Sequence, residues 1–124
     1  MPKGDVRKTY LKMAGQFADL SYAKRKQVGA LLVSADNKRI LSYGYNGMPP
    51  GMPNCCELDD GTTNPLVLHA ELACIGKCAK EGQAVQDSIL YLTLSPCIQC
   101  SKLIFQTGPI VTGKQFGIPG GIPI

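Results

Sequence analysis

Apolar residues near the start of the chain recur at intervals of three and four, at Val6, Tyr10, Met13, Phe17 and Leu20. That spacing lines one face of a helix. Asp5 is placed to cap it, and the basic run Lys24-Arg25-Lys26 follows its end. The period then changes. Val28 to Ser34 is a nearly continuous apolar run, Asp36-Asn37 supplies turn chemistry, and Arg39 to Gly44 reads as the returning strand of a hairpin. From Asn46 to Asn64 the chain is rich in Gly, Pro and Asn, a composition that favours loop. A loop that long in a small domain is usually functional. Asn64-Pro65 predicts a helix start, with the helix running through His69, Leu72, Ala73, Gly76 and Ala79 to a stop near Gly82. Ser88 to Leu94 follows as a buried strand. Ser95-Pro96 repeats the cap-then-proline signature and puts Cys97 and Cys100 in the first turn of a third helix ending near Thr107. The tail from Gly108 is crowded with glycine and proline, so only one further strand, around Ile110 to Phe116, is expected there. Hairpin, helix, strand and helix in this order predict a three-layer α/β/α sandwich with a mixed β-sheet, shortened or divergent at its C-terminal end. No internal repeat interrupts it, and residues 1–124 read as a single domain.

Composition narrows the class. At 124 residues and 44% hydrophobic content the chain suits one core, enough to bury about two thirds of its unfolded surface. The net charge of +4 arises from 13 basic and 9 acidic residues spread along the chain. A mild, dispersed charge fits an anionic small molecule as well as nucleic acid; neither a nucleic-acid polymer nor a membrane is the expected partner. MPKGDVRKTY lacks the apolar core of a signal peptide, and no apolar run is long enough to span a bilayer. A soluble cytoplasmic protein is therefore expected. Its six cysteines then read as metal ligands or buried small residues, since a reducing compartment disfavours disulfides.

Candidate chemistry sits at His69-Ala70-Glu71 and Pro96-Cys97-Ile98-Gln99-Cys100. One imidazole and two thiolates offer zinc three ligands and leave a fourth tetrahedral position open, which is the mark of a catalytic site. Cys97 and Cys100 at a helix start can face one point, where the helix dipole favours thiolate. Glu71 is the discriminating residue. A structural zinc site has no use for a carboxylate two positions past its histidine, whereas hydrolysis needs a group to move protons. On their own the two cysteines fit a thiol redox pair or half of a non-catalytic zinc-binding module equally well; a redox pair leaves His69 and Glu71 without a purpose. Cys55, Cys56, Cys74 and Cys78 offer a second zinc site as one reading and packing of the helical pair as another. Gly108 to Lys114 has phosphate-loop spacing, but Gln115 replaces the needed hydroxyl residue and no strand and helix frame it.

The H-x-E and P-C-x-x-C pair is a signature of zinc nucleobase deaminases. With Arg25 to Ala30, Gly44-Tyr45-Asn46-Gly47, Asn54-Cys55-Cys56 and Leu92 to Cys100, the chain resembles the deoxycytidylate (dCMP) deaminase family from residue 24 to about Gly108. The resemblance implies a cytidine deaminase-like fold with a five-stranded sheet, and hydrolysis of dCMP to dUMP and ammonia within pyrimidine deoxynucleotide metabolism. It also implies one zinc ion per chain held by His69, Cys97 and Cys100, Glu71 as proton shuttle, and Asn46 against the base or sugar. A homo-oligomer, commonly a hexamer regulated by dCTP and dTTP, belongs to the same expectation. Asn46 reads equally as a left-handed turn residue. Arg25 and Lys26, with Ser21 as a further hydroxyl donor, are the candidates for a substrate 5′-phosphate. Phe116 is the candidate for an aromatic stacked on the base. A deaminase of free cytidine or deoxycytidine is the alternative.

Overall fold

A computed structural model describes residues 5–113 in full and the backbone of residues 121–123. Its elements are α1 (Val6–Ala18), β1 (Gly29–Val33), β2 (Ile40–Tyr45), α2 (Ala70–Glu81), β3 (Ile89–Leu92), α3 (Ile98–Thr107), β4 (Ile110–Gly113) and β5 (Gly121–Pro123). The five strands form one sheet in the order β2-β1-β3-β4-β5. β1 runs antiparallel to both its neighbours, while β3, β4 and β5 are mutually parallel. The sheet is thus mixed, as expected.

β1 explains the three layers. All five of its residues are buried, and alternate side chains serve opposite faces. Ala30 and Leu32 pack with Ala70, Cys74, Ile75 and Leu90 under α2 and α3, while Leu31 and Val33 pack with Tyr10, Leu11, Ala14 and Tyr91 under α1. A strand covered on both faces is apolar throughout. Each fully buried Leu or Val contributes about 1.5–3 kcal/mol relative to exposure.

α1 is capped as expected, its Asp5 carboxylate accepting from the Arg7 backbone N–H at 3.0 Å. Its buried face differs from the expected stripe, because Tyr10, Leu11, Ala14 and Ala18 face the core while Val6 and Leu20 are exposed. The cause is close approach to β1. A side chain at Gly29 would run into the Ala14 carbonyl and the Ala18 backbone nitrogen, so small residues on the helix make the contact.

Two expected boundaries move. Asn64-Pro65 does not start α2. The Asn64 side chain accepts from the Leu66 N–H and its carbonyl from the Val67 N–H, which closes a turn. Leu68 then bridges to Gly47, each donating its N–H to the other's carbonyl at 3.1 and 2.8 Å. Only past this bridge, with His69 as cap, does the helix begin. At the other end the expected single strand is β4, and β5 adds a further one. Lys114, Gln115 and Phe116, with the stacking and phosphate-loop readings attached to them, lie outside the described residues.

Candidate active site

Antiparallel pairing of β1 with β2 and β3 brings the start of β1 to the ends of the other two strands. Gly29 pairs with Tyr45, and Ala30 with both Gly44 and Leu92. The Gly29 N–H donates to Thr93 Oγ1 at 3.1 Å, and the Thr93 N–H returns to the Gly29 carbonyl at 3.2 Å. Residues 25–28, 46–47 and 94–97 therefore leave the sheet at one place. α2 starts at the same place because Gly44 lets it close in: a Cβ there would meet the Ala70 carbonyl and lie 2.8 Å from the Cys74 nitrogen.

His69 caps α2 and Cys97 caps α3, neither spending its side chain on its own helix. Cys97 thus precedes the first turn in which it was expected, and Cys100 lies within that turn. The His69 Nδ1 is 3.4 Å from the Cys97 Sγ and 3.3 Å from the Cys100 Sγ, and all three donor atoms lie within 4.8 Å of one another. Tetrahedral zinc with ordinary Zn–N and Zn–S bonds places such atoms about 3.5 Å apart. The donor set and its spacing fit that ion. Two helix N-termini converge here, and their dipoles favour anionic ligands.

Glu71, in the first turn of α2 and only 3% exposed, stands beside this set without joining it. Burial raises its carboxyl above the ordinary value; its own backbone, the His69 charge and a hydrogen bond with the Cys100 thiol act against that rise. Burial, then the Glu71 charge, likewise push the Cys100 thiol upward. A divalent cation displaces that thiol proton on binding, which couples metal affinity to pH.

His69, Glu71 and Cys97 line a cavity of about 320 Å³. Arg25, Lys26 and Asn46 line it too, together with Cys56, Glu57 and Thr63 from the long loop. Among the described residues the only ion pair is Arg7 with Asp5, so neither cavity cation is neutralised by a neighbouring carboxylate. The Asn46 amide is committed at both ends, its Oδ1 accepting from the Val28 N–H at 2.8 Å and its Nδ2 donating to the Lys26 carbonyl at 2.7 Å. It is not left-handed, since Asn37 and Asp87 are the non-glycine residues with positive φ. Ser21 is buried, donates to the Asn46 carbonyl at 2.7 Å and is not among the cavity residues. Sequence reasoning missed Glu57; loop length pointed to residues 46–64 as a whole, but nothing singled out one carboxylate. Cys74 and Cys78 are core residues, and among the described residues only His69, Cys97 and Cys100 gather as metal donors.

A three-donor metal set beside a buried carboxyl is a candidate metal centre. Comparison with known proteins then specifies the kind. The family of the cytidine and deoxycytidylate deaminase zinc-binding region matches residues 5–113, and the chain belongs to it. Human deoxycytidylate deaminase is 37% identical over 106 residues, covering 80% of this chain and 58% of its own. Deoxycytidylate deaminase of Mycobacterium phage D29 is 30% identical over 122 residues, covering 87% and 92% respectively. The crystal structure of dCMP deaminase from the cyanophage S-TIM5, in complex with dCMP and dUMP, superposes with a TM-score of 0.85 at 43% identity, covering 94% of this chain and 85% of that one. The chain spans 58% of the length of the mammalian relatives it matches. No described helix is long and apolar enough to cross a membrane.

Proposed function

We propose that the protein hydrolyses dCMP to dUMP and ammonia, with zinc held by His69, Cys97 and Cys100. The observation that carries this reading is the buried Glu71 carboxyl beside a three-donor set, in a cavity that also presents Arg25 and Lys26. The likeness to a phage enzyme crystallised with dCMP and dUMP supports it.

Zinc bound in such a set supplies a hydrolytic nucleophile at neutral pH and one open position for it. Glu71 does the proton work. It takes a proton from the attacking water, gives it to ring N3 as the C4–O bond forms, and passes the second water proton to the departing amine as the C4–N bond breaks. Water and cytosine thus become uracil and ammonia, with the carboxyl returned to its starting state. The low-exposure setting of Glu71 keeps bulk water from competing for that proton. Arg25 and Lys26 answer the 5′-phosphate with charge-assisted hydrogen bonds. Asn46, its amide already taken up, shapes the wall against the sugar or base, and Ser21 braces it from behind. Residues 1–124 act as one deaminase domain, in a homo-oligomer, a hexamer by family likeness, located in the cytoplasm and regulated by dCTP and dTTP.

Uracil product formed from dCMP, deoxycytidine, CMP and dCTP, compared side by side, tests the reading; dCMP is expected to lead. A preference for deoxycytidine transfers the assignment to the free nucleoside. Glu71→Gln is expected to retain one zinc per chain and to lose turnover by about 10²–10⁴. Loss of the metal in that variant overturns the role given to Glu71.

A further inference from the structure

We propose that Glu57 is a positioning residue for the anionic end of the substrate, an inference that rests on the nucleotide reading above. The turn that carries Arg25 and Lys26 joins α1 to β1 and belongs to no regular element. It is held from two sides. On the β1 side the Asn46 amide binds the Lys26 carbonyl and the Val28 N–H. On the α1 side the Glu57 Oε2 accepts from the Lys24 N–H at 2.9 Å and, more weakly, from the Arg25 N–H at 3.4 Å. Glu57 comes from the loop between β2 and α2, 33 and 32 residues along the chain from these donors. The loop is closed at its base by the Gly47 and Leu68 bridge and braced around Glu57 by a second bridge to Thr63. The carboxylate therefore clamps the turn to the long loop that lines the same cavity.

The choice of partner carries the argument. A carboxylate in a cavity shared with an arginine and a lysine would ordinarily pair with one of them, yet Glu57 forms no ion pair and binds backbone N–H groups instead. Two successive N–H groups aimed at one oxygen make an anion-holding concavity, and here a side chain of the protein fills it. The cationic side chains are left to the cavity. A loose turn would present the same charges over a wide range of positions, and ordering it would cost binding energy at each encounter. The clamp settles that cost in advance. Its effect belongs to phosphate recognition, because a nucleoside makes no demand on Arg25 or Lys26.

Kinetics on the zinc-loaded full chain with dCMP and deoxycytidine test this, alongside amide hydrogen exchange at Lys24 and Arg25. Glu57→Ala is expected to raise KM for dCMP about tenfold, as expected for loss of a charged hydrogen bond. The loss on deoxycytidine should be several-fold smaller, with faster exchange at both amides. Glu57→Gln keeps an oxygen acceptor and should recover most of the dCMP affinity. Equal losses on both substrates, tighter dCMP binding, or unchanged exchange at Lys24 and Arg25 would each overturn the proposal. A wild-type enzyme without preference for dCMP would sink the nucleotide reading instead, and the exchange measurement would still decide whether Glu57 holds the turn.

Discussion

Cys74 shows how a single burial sets a pH limit. Fully enclosed between β2 and the core, its thiol is pushed up to about 12 by desolvation, from an ordinary value of 9.0. Below pH 9 the folded and unfolded chains both hold the proton, and the full stability is present. Above it the unfolded chain ionises while the folded one does not, so stability is lost as pH rises toward about 12. Thermal unfolding in reductant should therefore show a falling midpoint from about pH 9 upward, with a shallower fall in Cys74→Ala. That variant should start roughly 1–3 kcal/mol less stable, from the small cavity it leaves. An unchanged slope would remove Cys74 as the cause. The residues legible from sequence were those whose chemistry fixes both type and spacing: His69, Cys97 and Cys100 gather as metal donors, with Glu71 buried beside them. Glu57 and Asn46 were not legible in their roles, because their partners are backbone groups 18 to 33 residues away. Any exposed turn could carry the same side chains.

Among elements, α2 depends most on its neighbour. Ala70 and Cys74 lie against Gly44, and Ser42 of the same strand donates to the Cys74 carbonyl at 2.9 Å. Gly44→Ala should push the start of α2 away from β2, at a cost of about 1–3 kcal/mol from overpacking. His69 and Glu71 ride on that end of the helix, so activity should fall more than the change in midpoint accounts for. Measuring kcat well below the unfolding midpoint separates the two effects, and full activity there would show that the end of α2 adjusts freely. The same contact explains a misplaced boundary. Asn64-Pro65 carries a genuine helix-start signature, but the turn closed by Asn64 and then the Gly47 and Leu68 bridge hold the helix off until His69. Pairing between residues 21 positions apart outweighed a local preference. The strands were legible because β1 is apolar on both faces. The face of α1 was legible at Tyr10, Met13 and Phe17, which pack on the core, and not at Ala14 and Ala18, which close approach at Gly29 favours over larger residues.

For the molecule as a whole, α3 leaves Ile98 and Phe105 exposed at 74% and 59%, seven residues apart on one helix face. A homo-oligomer would cover such a face. Sedimentation should show an assembly larger than the monomer, and Phe105→Glu should shift it toward smaller species; a monomeric wild type would reject this. The order of elements was readable from the residues, and the fifth strand only from the family resemblance, since glycine and proline there mimic a loop. The convergence of β1, β2 and β3 at one end of the sheet also bears on synthesis. A ribosome adding about 5–20 residues per second delivers His69 about 1.5–6 seconds before Cys100, 31 residues later. Through that interval the imidazole lacks the Cys97 and Cys100 thiols, although Asn46 and Glu57, which brace the turn at residues 24–28, are already made. The three-donor set is thus complete only after β1, β2 and β3 have been made, so the site closes on strands that can already pair.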